Sequence, residues 1–370
     1  MKPPHPLAGS SLTNLLRFAW RHGREIEAKH VAQFAKISAA VVASTPLRLA
    51  ESLCFGRKVR KQAIHPSPIV VLGHWRSGTT HMQNLLLCDD QFATVSLLHC
   101  SVPHLHLVLG RILGPLIEER IAAKRPMDNV KLGIHEPMSE DFGLVGRSEM
   151  THYHSYFLPK KAEAEFRRTV LLESNAASET WQRDYLRLLR KVSYESGGKR
   201  LCLKNPPSTG RVAHVLKLFP DAKFVFVKRN PYVVHASTCR LMEKFLQQFA
   251  LQSWDSREIE SFVSRRYELL MQRWFADRSL IPPANLIEVR HEDVTDRPIE
   301  SVRAVYDQFG LQDFERTKPT LERLVAGTRS YQNNKYEFSP DYLERIEPYV
   351  GPVAARWGYS VPASPLQDAA

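Results

Sequence analysis

The sequence predicts an α/β fold: a central parallel sheet flanked by helices, with a helical extension ahead of it. Three observations carry that prediction. Four short runs rich in Val, Leu, Ile and Phe (Ile69–Leu72, Leu201–Leu203, Phe224–Val227 and Leu286–Val289) have the length and character of buried parallel strands. Each ends in glycine or charged residues near a turn signal, as strands do when their carboxyl ends line a ligand crevice. Between the second and third runs, Val212, Val215, Leu216 and Phe219 recur at helical spacing and stop at Pro220. Strand, helix, strand in that order requires a right-handed parallel crossover.

The elements follow in chain order. Residues 1–62 are expected to form the helical extension, helical from about residue 11 to 60 and closing on the basic "GRKVRKQ" of Gly56–Gln62. Its most apolar stretch, "FAKISAAVVASTPLRLAESL", carries Lys36, Arg48 and Glu51 and so is not expected to span a bilayer. Leu47, Leu49 and Leu53 beside those charges predict an amphipathic helix that packs on its own domain or lies on a membrane surface. Residues 63–360 hold the main domain. Met82, Leu85 and Leu86 recur at helical spacing after Thr79, which places "GHWRSGTT" between the first strand and a helix. Long helical patterns fill Tyr232–Ala250 and Ser256–Leu280. Another starts at Pro298, a good first-turn residue, and stops before Gly310. Residues 361–370, "VPASPLQDAA", read as a loose tail.

With 370 residues, 43% of them hydrophobic and 24% charged, the chain has ordinary globular composition. The excess of 51 Lys and Arg over 39 Asp and Glu, a formal +12, suits a polyanionic ligand or an acidic membrane surface. Nucleic acid is not expected as a partner, because neither a basic-aromatic pattern nor a zinc-finger spacing occurs. The five scattered cysteines form no C-x-x-C pair, so a reducing cytoplasm is expected and a disulfide framework or zinc site is not. The N-terminus lacks the apolar core of a signal peptide.

"PIVVLGHWRSGTTHMQNLL" nearly spells a phosphate-binding P-loop. Gly73 and Gly78 keep the Walker A spacing, but Thr79 and Thr80 stand where lysine and a hydroxyl residue belong, and Arg76 lies inside the loop. Glycines let the backbone amides approach an anion, and the N-terminus of the following helix adds attraction. Ser77, Thr79 and Thr80 offer hydroxyls, and Arg76 a fixed charge. A triphosphate enzyme would add a magnesium-holding carboxylate at a neighbouring strand end. The nearest candidate end instead carries Lys228, Arg229 and Asn230, cations that repel a metal and invite a second phosphate. No metal is therefore required by this pattern.

These residues resemble the sulfotransferases that use 3′-phosphoadenosine 5′-phosphosulfate. "GHWRSGTT" is similar to that family's 5′-phosphosulfate loop, and "KRNPYVVHAS" to its 3′-phosphate motif R-x-P-x-x-x-x-x-S, which implies that Arg229 and Ser237 hold the 3′-phosphate. "LCLKNPPSTGRV" and "VRHEDVTDRP" continue the resemblance in order, with His291 where many relatives have tyrosine. "RSYQNNKYEFS" resembles a segment that closes over the nucleotide, implying contacts from Asn334 and Tyr336. The similarity covers about Pro68 to Tyr359.

The resemblance implies in-line sulfuryl transfer from that donor to a hydroxyl or amine of a small-molecule, lipid or glycan acceptor. Arg76 and then Lys204, at a predicted strand end, are the expected stabilisers of charge on the leaving phosphate. A base must take the acceptor proton. "PMSEDF" resembles the family's acidic segment, implying Glu140 and Asp141, two acids whose mutual repulsion can raise one pKa. Ser139 departs from the pattern, and His135 or His99 are the alternatives for the base. "HCSVPHLHLVLG" and "THYHSYFLPKK" are candidates for an apolar acceptor site or for the core. Two competing functions remain open: a P-loop kinase or hydrolase, marked by magnesium-dependent turnover, and a non-catalytic nucleotide or sulfated-glycan binder, marked by binding without transfer.

Overall fold

A computed structural model of the chain describes residues 4–119, 133–328 and 336–362. Its centre is a five-stranded, all-parallel sheet in the order β2-β3-β1-β4-β5, with β1 Ile69–Leu72, β2 Phe92–Ala93, β3 Arg200–Lys204, β4 Lys223–Lys228 and β5 Leu286–Arg290. β1 is paired on both sides, Val70 lying between Leu203 and Phe224. Burial on both faces and both edges explains why all four of its residues are apolar and fully buried. β5 is an edge strand, half-buried throughout, and can therefore carry Glu288 and Arg290. β2 is a two-residue strand, too short to show any periodic pattern in the sequence.

Alternate strand residues feed two cores, as a period of two demands. Ile69, Val71, Val225 and Val227 join Met82, Leu85 and Leu86 of α3 (Thr79–Leu86) and Val302 and Val305 of the helix Pro298–Phe309. Val70, Leu72, Phe224 and Phe226 face the opposite, larger core, which includes Tyr267 and Trp274 of the helix Ser256–Asp277. Trp274 stacks on Phe226 with ring centroids 4.0 Å apart.

The stretch expected to be helical from about residue 11 to 60 holds two helices, α1 (Leu12–His22) and α2 (Val31–Lys61), parted at Gly23 and a short turn at Ala28–His30. They are not set apart from the sheet. Leu7, Leu15, Phe18, Ile37 and Val41 belong to the same core as Val70 and Leu72. Glu51 of α2 forms a buried ion pair with Lys191, and the His5 ring bonds to the Phe249 carbonyl at 3.0 Å. Elsewhere boundaries shift little. The helix expected over Tyr232–Ala250 runs Pro231–Phe249, and that from Ser256 ends at Asp277 before a tighter turn to Leu280. Gly310, with φ 61°, terminates Pro298–Phe309 in the left-handed conformation that glycine adopts freely. No described helix is long and apolar enough to cross a membrane.

Candidate active site

The carboxyl ends of β1, β3, β4 and β5 share one sheet edge because the strands are parallel, and Gly73–Gly78, Lys204, Arg229 and His291 follow them there. The loop after β1 is held on both sides. The Gly73 N–H donates to the Thr209 hydroxyl at 2.9 Å, and that hydroxyl donates back to the Gly73 carbonyl at 3.0 Å. Gly73 has φ 146°, and a Cβ there would lie 2.5 Å from Ser77 Oγ and 2.8 Å from the Val227 carbonyl oxygen. Gly78 has φ 98°, and its Cβ would lie 2.4 Å from Nδ1 of His291. Both glycines are thus required by conformation and by space. Arg76 has φ 72°, a conformation that costs a non-glycine residue about 1–3 kcal/mol and recurs at ligand-binding loops.

The two cationic segments meet. Arg76 Nε donates to Ser237 Oγ at 2.9 Å, and Arg229 Nη1 donates to the Arg76 carbonyl at 3.0 Å. Lys228 is paired with Glu288 at 3.1 Å. Three residues at the loop carry buried polar atoms with no hydrogen-bond partner among the described residues: His74 at Nε2, Ser77 at Oγ and His291 at both ring nitrogens. Burial, reinforced by the Arg229 charge, holds the His291 ring neutral with its pKa down at about 3. Tyr336 lies against the helix Pro231–Phe249, its ring 4.6 Å from the Arg240 guanidinium carbon; Asn334 lies outside the described residues.

Arg76, Thr79, Thr80 and Lys204 line one end of a cavity of about 1150 Å³. That exceeds the about 300–1,000 Å³ of ordinary small-molecule pockets. The remainder is mostly apolar, with Trp75, Leu105, Phe142, Tyr156 and Phe245 in its walls beside a few polar groups such as His104, Gln247 and Gln248. Both stretches singled out for an acceptor contribute, Cys100–Val102 from one and His152, Tyr153 and Tyr156 from the other. Pro4–Pro6 and Ala40, Ser44 and Arg48 of α2 complete the wall, a contribution the sequence did not suggest.

The acidic pair splits into two environments. Asp141 is fully buried and accepts from Arg211 (2.6 Å to Oδ1), Asn205 (2.9 Å) and the backbone N–H of His152 (2.9 Å). Burial alone would raise its pKa, but the Arg211 charge and the His152 bonds outweigh that and hold the carboxyl well below the usual range. An ionised Asp141 makes the 3.0 Å contact with His152 Nδ1 a bond donated by the ring. His152 is therefore fixed with Nδ1 protonated, which leaves Nε2 as the ring's proton acceptor, and it lines the cavity. Burial lowers its pKa, and Asp141 pulls the other way.

Glu140 is also fully buried. Oε1 accepts from the Lys204 N–H at 2.9 Å, while Oε2 has no partner among the described residues. Its pKa is pushed up to about 7, chiefly by burial; the Asp141 charge adds a smaller push, so mutual repulsion is not the main cause. Glu140 does not line the cavity, although Met138, Phe142 and Lys204 around it do. The other two expected bases lie elsewhere. His99 caps its helix through Ser96 and contacts Glu195 at 2.8 Å, and His135 is exposed. His152 and Arg211 were missed because their roles depend on contacts across the fold; the one sequence signal was the His-rich "THYHSYF".

Comparison with known proteins bears on the family and the fold. A curated protein of Mycobacterium bovis, named omega-hydroxy-beta-dihydromenaquinone-9 sulfotransferase Stf3, is 30% identical over 315 residues, 85% of this chain and 80% of its own. That stretch is longer than Pro68 to the C-terminus, so it includes part of the N-terminal segment. The crystal structure of sulfotransferase STF9 from Mycobacterium avium superposes with a TM-score of 0.69 at 18% identity, covering 88% of this chain and 86% of that one. Sulfotransferase STF1 from Mycobacterium tuberculosis H37Rv gives 0.60 at 18%, covering 90% of both chains. A model of the sulfotransferase family matches residues 68–316, and the chain belongs to that family.

Proposed function

We propose that the protein transfers a sulfuryl group from 3′-phosphoadenosine 5′-phosphosulfate to a hydroxyl group on an apolar, lipid-like acceptor. The observation that carries the reading is a single large cavity whose lining joins Arg76, Thr79, Thr80 and Lys204 at the strand ends to mostly apolar walls. The residues present fit the donor: Gly73 and Gly78 permit the positive-φ turn of the loop, and Ser77 Oγ is a buried hydroxyl with no partner among the described residues. Arg229 and Ser237 hold the 3′-phosphate in this reading, and the Ser77–Thr80 segment with Arg76 holds the 5′ end. Tyr336, and Asn334 outside the described residues, are assigned to the nucleotide by resemblance. The acceptor class is supported by the apolar walls and by the name of the Mycobacterium bovis relative, which specifies a hydroxylated menaquinone.

The donor supplies an activated sulfuryl group. The chain supplies charge, orientation and a proton acceptor. Arg76 and Lys204 neutralise charge that grows toward the donor phosphate as transfer proceeds. His152 takes the acceptor proton at Nε2, and Asp141, itself ionised by Arg211, is its positioning residue, an arrangement that stabilises the imidazolium formed. A second reading places the proton on Glu140, whose unpartnered Oε2 and raised pKa favour it. In that case the Asp141 charge adds to burial in raising the Glu140 pKa.

The test offers labelled phosphosulfate donor and hydroxylated isoprenoid quinones, with product read by mass spectrometry. A sulfated acceptor is the expected product. Magnesium-dependent phosphate release without sulfated product would instead indicate a kinase or hydrolase. Nucleotide binding without any transfer would indicate a binding protein. Calorimetry adds a residue-level check: Arg229→Ala should weaken adenosine 3′,5′-bisphosphate about 10- to 100-fold, as loss of a charge-assisted bond does, and adenosine 5′-phosphate far less.

A further inference from the structure

α2 is fixed to the domain along one side and bare along another. Ile37, Val41 and Glu51 are buried, and Arg48 turns inward to donate to the Ala8 carbonyl at 3.1 Å. From Lys36 to Arg57 no exposed residue of the helix carries a charge; the exposed positions between them are Ala, Val, Pro, Leu, Ser and Cys. Val42 is 57%, Leu49 59% and Leu53 85% exposed. Val31, Val42, Leu49 and Leu53 are spaced by near-whole numbers of helical turns and so form one stripe. The neighbouring helix His106–Glu118 continues the apolar surface with Val108, Ile112 and Leu116, one turn apart. The two helices are joined where Glu51 Oε2 accepts the N–H groups of Leu107 (2.8 Å) and Val108 (3.2 Å).

Charge identifies the occupant. Lys29 and Lys36 lie at one end of the bare stretch of α2, and exposed Arg57, Lys58, Arg60 and Lys61 at the other. The only acidic residue of α2, Glu51, is buried. Two copies of this face meeting about a twofold axis would bring basic end against basic end. A bilayer with anionic headgroups satisfies both parts at once, taking the apolar stripe among its chains and the cations at its surface. The face also adjoins the cavity. Ala40 of α2 is exposed and lines it, as does Ile117 of the neighbouring helix. A second groove, lined by Lys29, His30 and Lys36, shares His5, Ala8, Gln247 and Gln248 with that cavity.

We propose that α2 and the helix His106–Glu118 form a docking face for an anionic lipid bilayer, seating the mouth of the apolar cavity on the membrane surface. The face needs neither donor nor acceptor to bind, so its failure would leave the proposed reaction standing, and the reverse.

Sedimentation of the full chain with phosphatidylglycerol–phosphatidylcholine vesicles tests it. The unaltered protein is expected to partition onto these vesicles and much less onto phosphatidylcholine alone. Leu49→Asp with Leu53→Asp should lower the partition coefficient at least about tenfold, since charge in the stripe opposes interfacial burial. Ile112→Asp, on the other helix, should act in the same direction. Lys58→Glu with Arg60→Glu should weaken only the phosphatidylglycerol-dependent part. Leu280→Asp, exposed on a different element, should change nothing. Circular dichroism and nucleotide calorimetry establish that each variant is folded. Undiminished partition of the Leu49→Asp, Leu53→Asp protein overturns the proposal. So does a protein that ignores vesicles yet is a dimer by light scattering and becomes monomeric with those substitutions.

Discussion

The two ends of the cavity are built by different rules. At the loop end, the side chains follow strands of one parallel sheet, and their positions are fixed by backbone: Gly73 and Gly78 permit the turn, and Thr209 pins it. At the apolar end, the walls come from Pro4–Gly9, α2, Cys100–Leu105 and Leu241–Phe249, segments far apart in sequence that meet only through packing. Chemistry that every donor molecule shares suits the first kind of construction. Selection among acceptors suits the second, because an apolar wall can be reshaped one side chain at a time without disturbing the sheet.

Removing the proton acceptor should break this division most severely. His152→Asn is expected to lower turnover about 10²–10⁴-fold with nucleotide affinity unchanged. Glu140→Gln should cost far less if His152 is the base; a reversed order would move the proton to Glu140. The pH profile separates them independently. A base works only deprotonated, so activity must fall as pH drops through its pKa. Reliance on Glu140 predicts a fall below about pH 7, whereas reliance on His152, whose pKa burial lowers, predicts that activity persists below the ordinary histidine range.

Arg76→Ala comes next, with an expected loss of about 10²–10³ in turnover for removing one preorganised donor. Arg76→Lys should recover part of it, keeping charge but not the bond to Ser237. Equal turnover in all three proteins would remove Arg76 from the chemistry. The smallest effect belongs to the apolar end. Phe245 lines the cavity and stacks on Tyr156 at 4.9 Å, a pairing worth about 0.5–1.5 kcal/mol. Phe245→Ala should therefore raise KM for an apolar acceptor several-fold while leaving donor KM alone; a change in both would mean that the two ends are not separable.

The same division explains what the sequence revealed. The cores of β1, β3 and β4 were legible because a strand buried on both faces is apolar there, β5 through Leu286, Ile287 and Val289, and the loop because Gly-Thr-Thr chemistry is local. Arg229 and Ser237 were legible as a motif whose spacing matches strand end and second helical turn. His152 was not, since its role depends on Asp141 and Arg211, which lie 11 residues before it and 59 after it in the chain. The difference between Glu140 and Asp141 was equally hidden: both are fully buried, and the Arg211 guanidinium with the His152 bonds separates their states. The share of α2 in the cavity had no signature, because Ala40 and Ser44 are unremarkable residues in any helix.

One short turn registers both ends of the cavity against each other. Lys204–Arg211 supplies the backbone N–H that anchors Glu140, the Asn205 amide and Arg211 guanidinium that clamp Asp141, and the Thr209 hydroxyl that clasps Gly73. Valine at position 209 would match threonine in shape yet strand a buried N–H and a buried C=O, each at about 1–3 kcal/mol. Distance between the reacting partners is thus dictated by a segment that belongs wholly to neither of them, and a shift there would misalign both together.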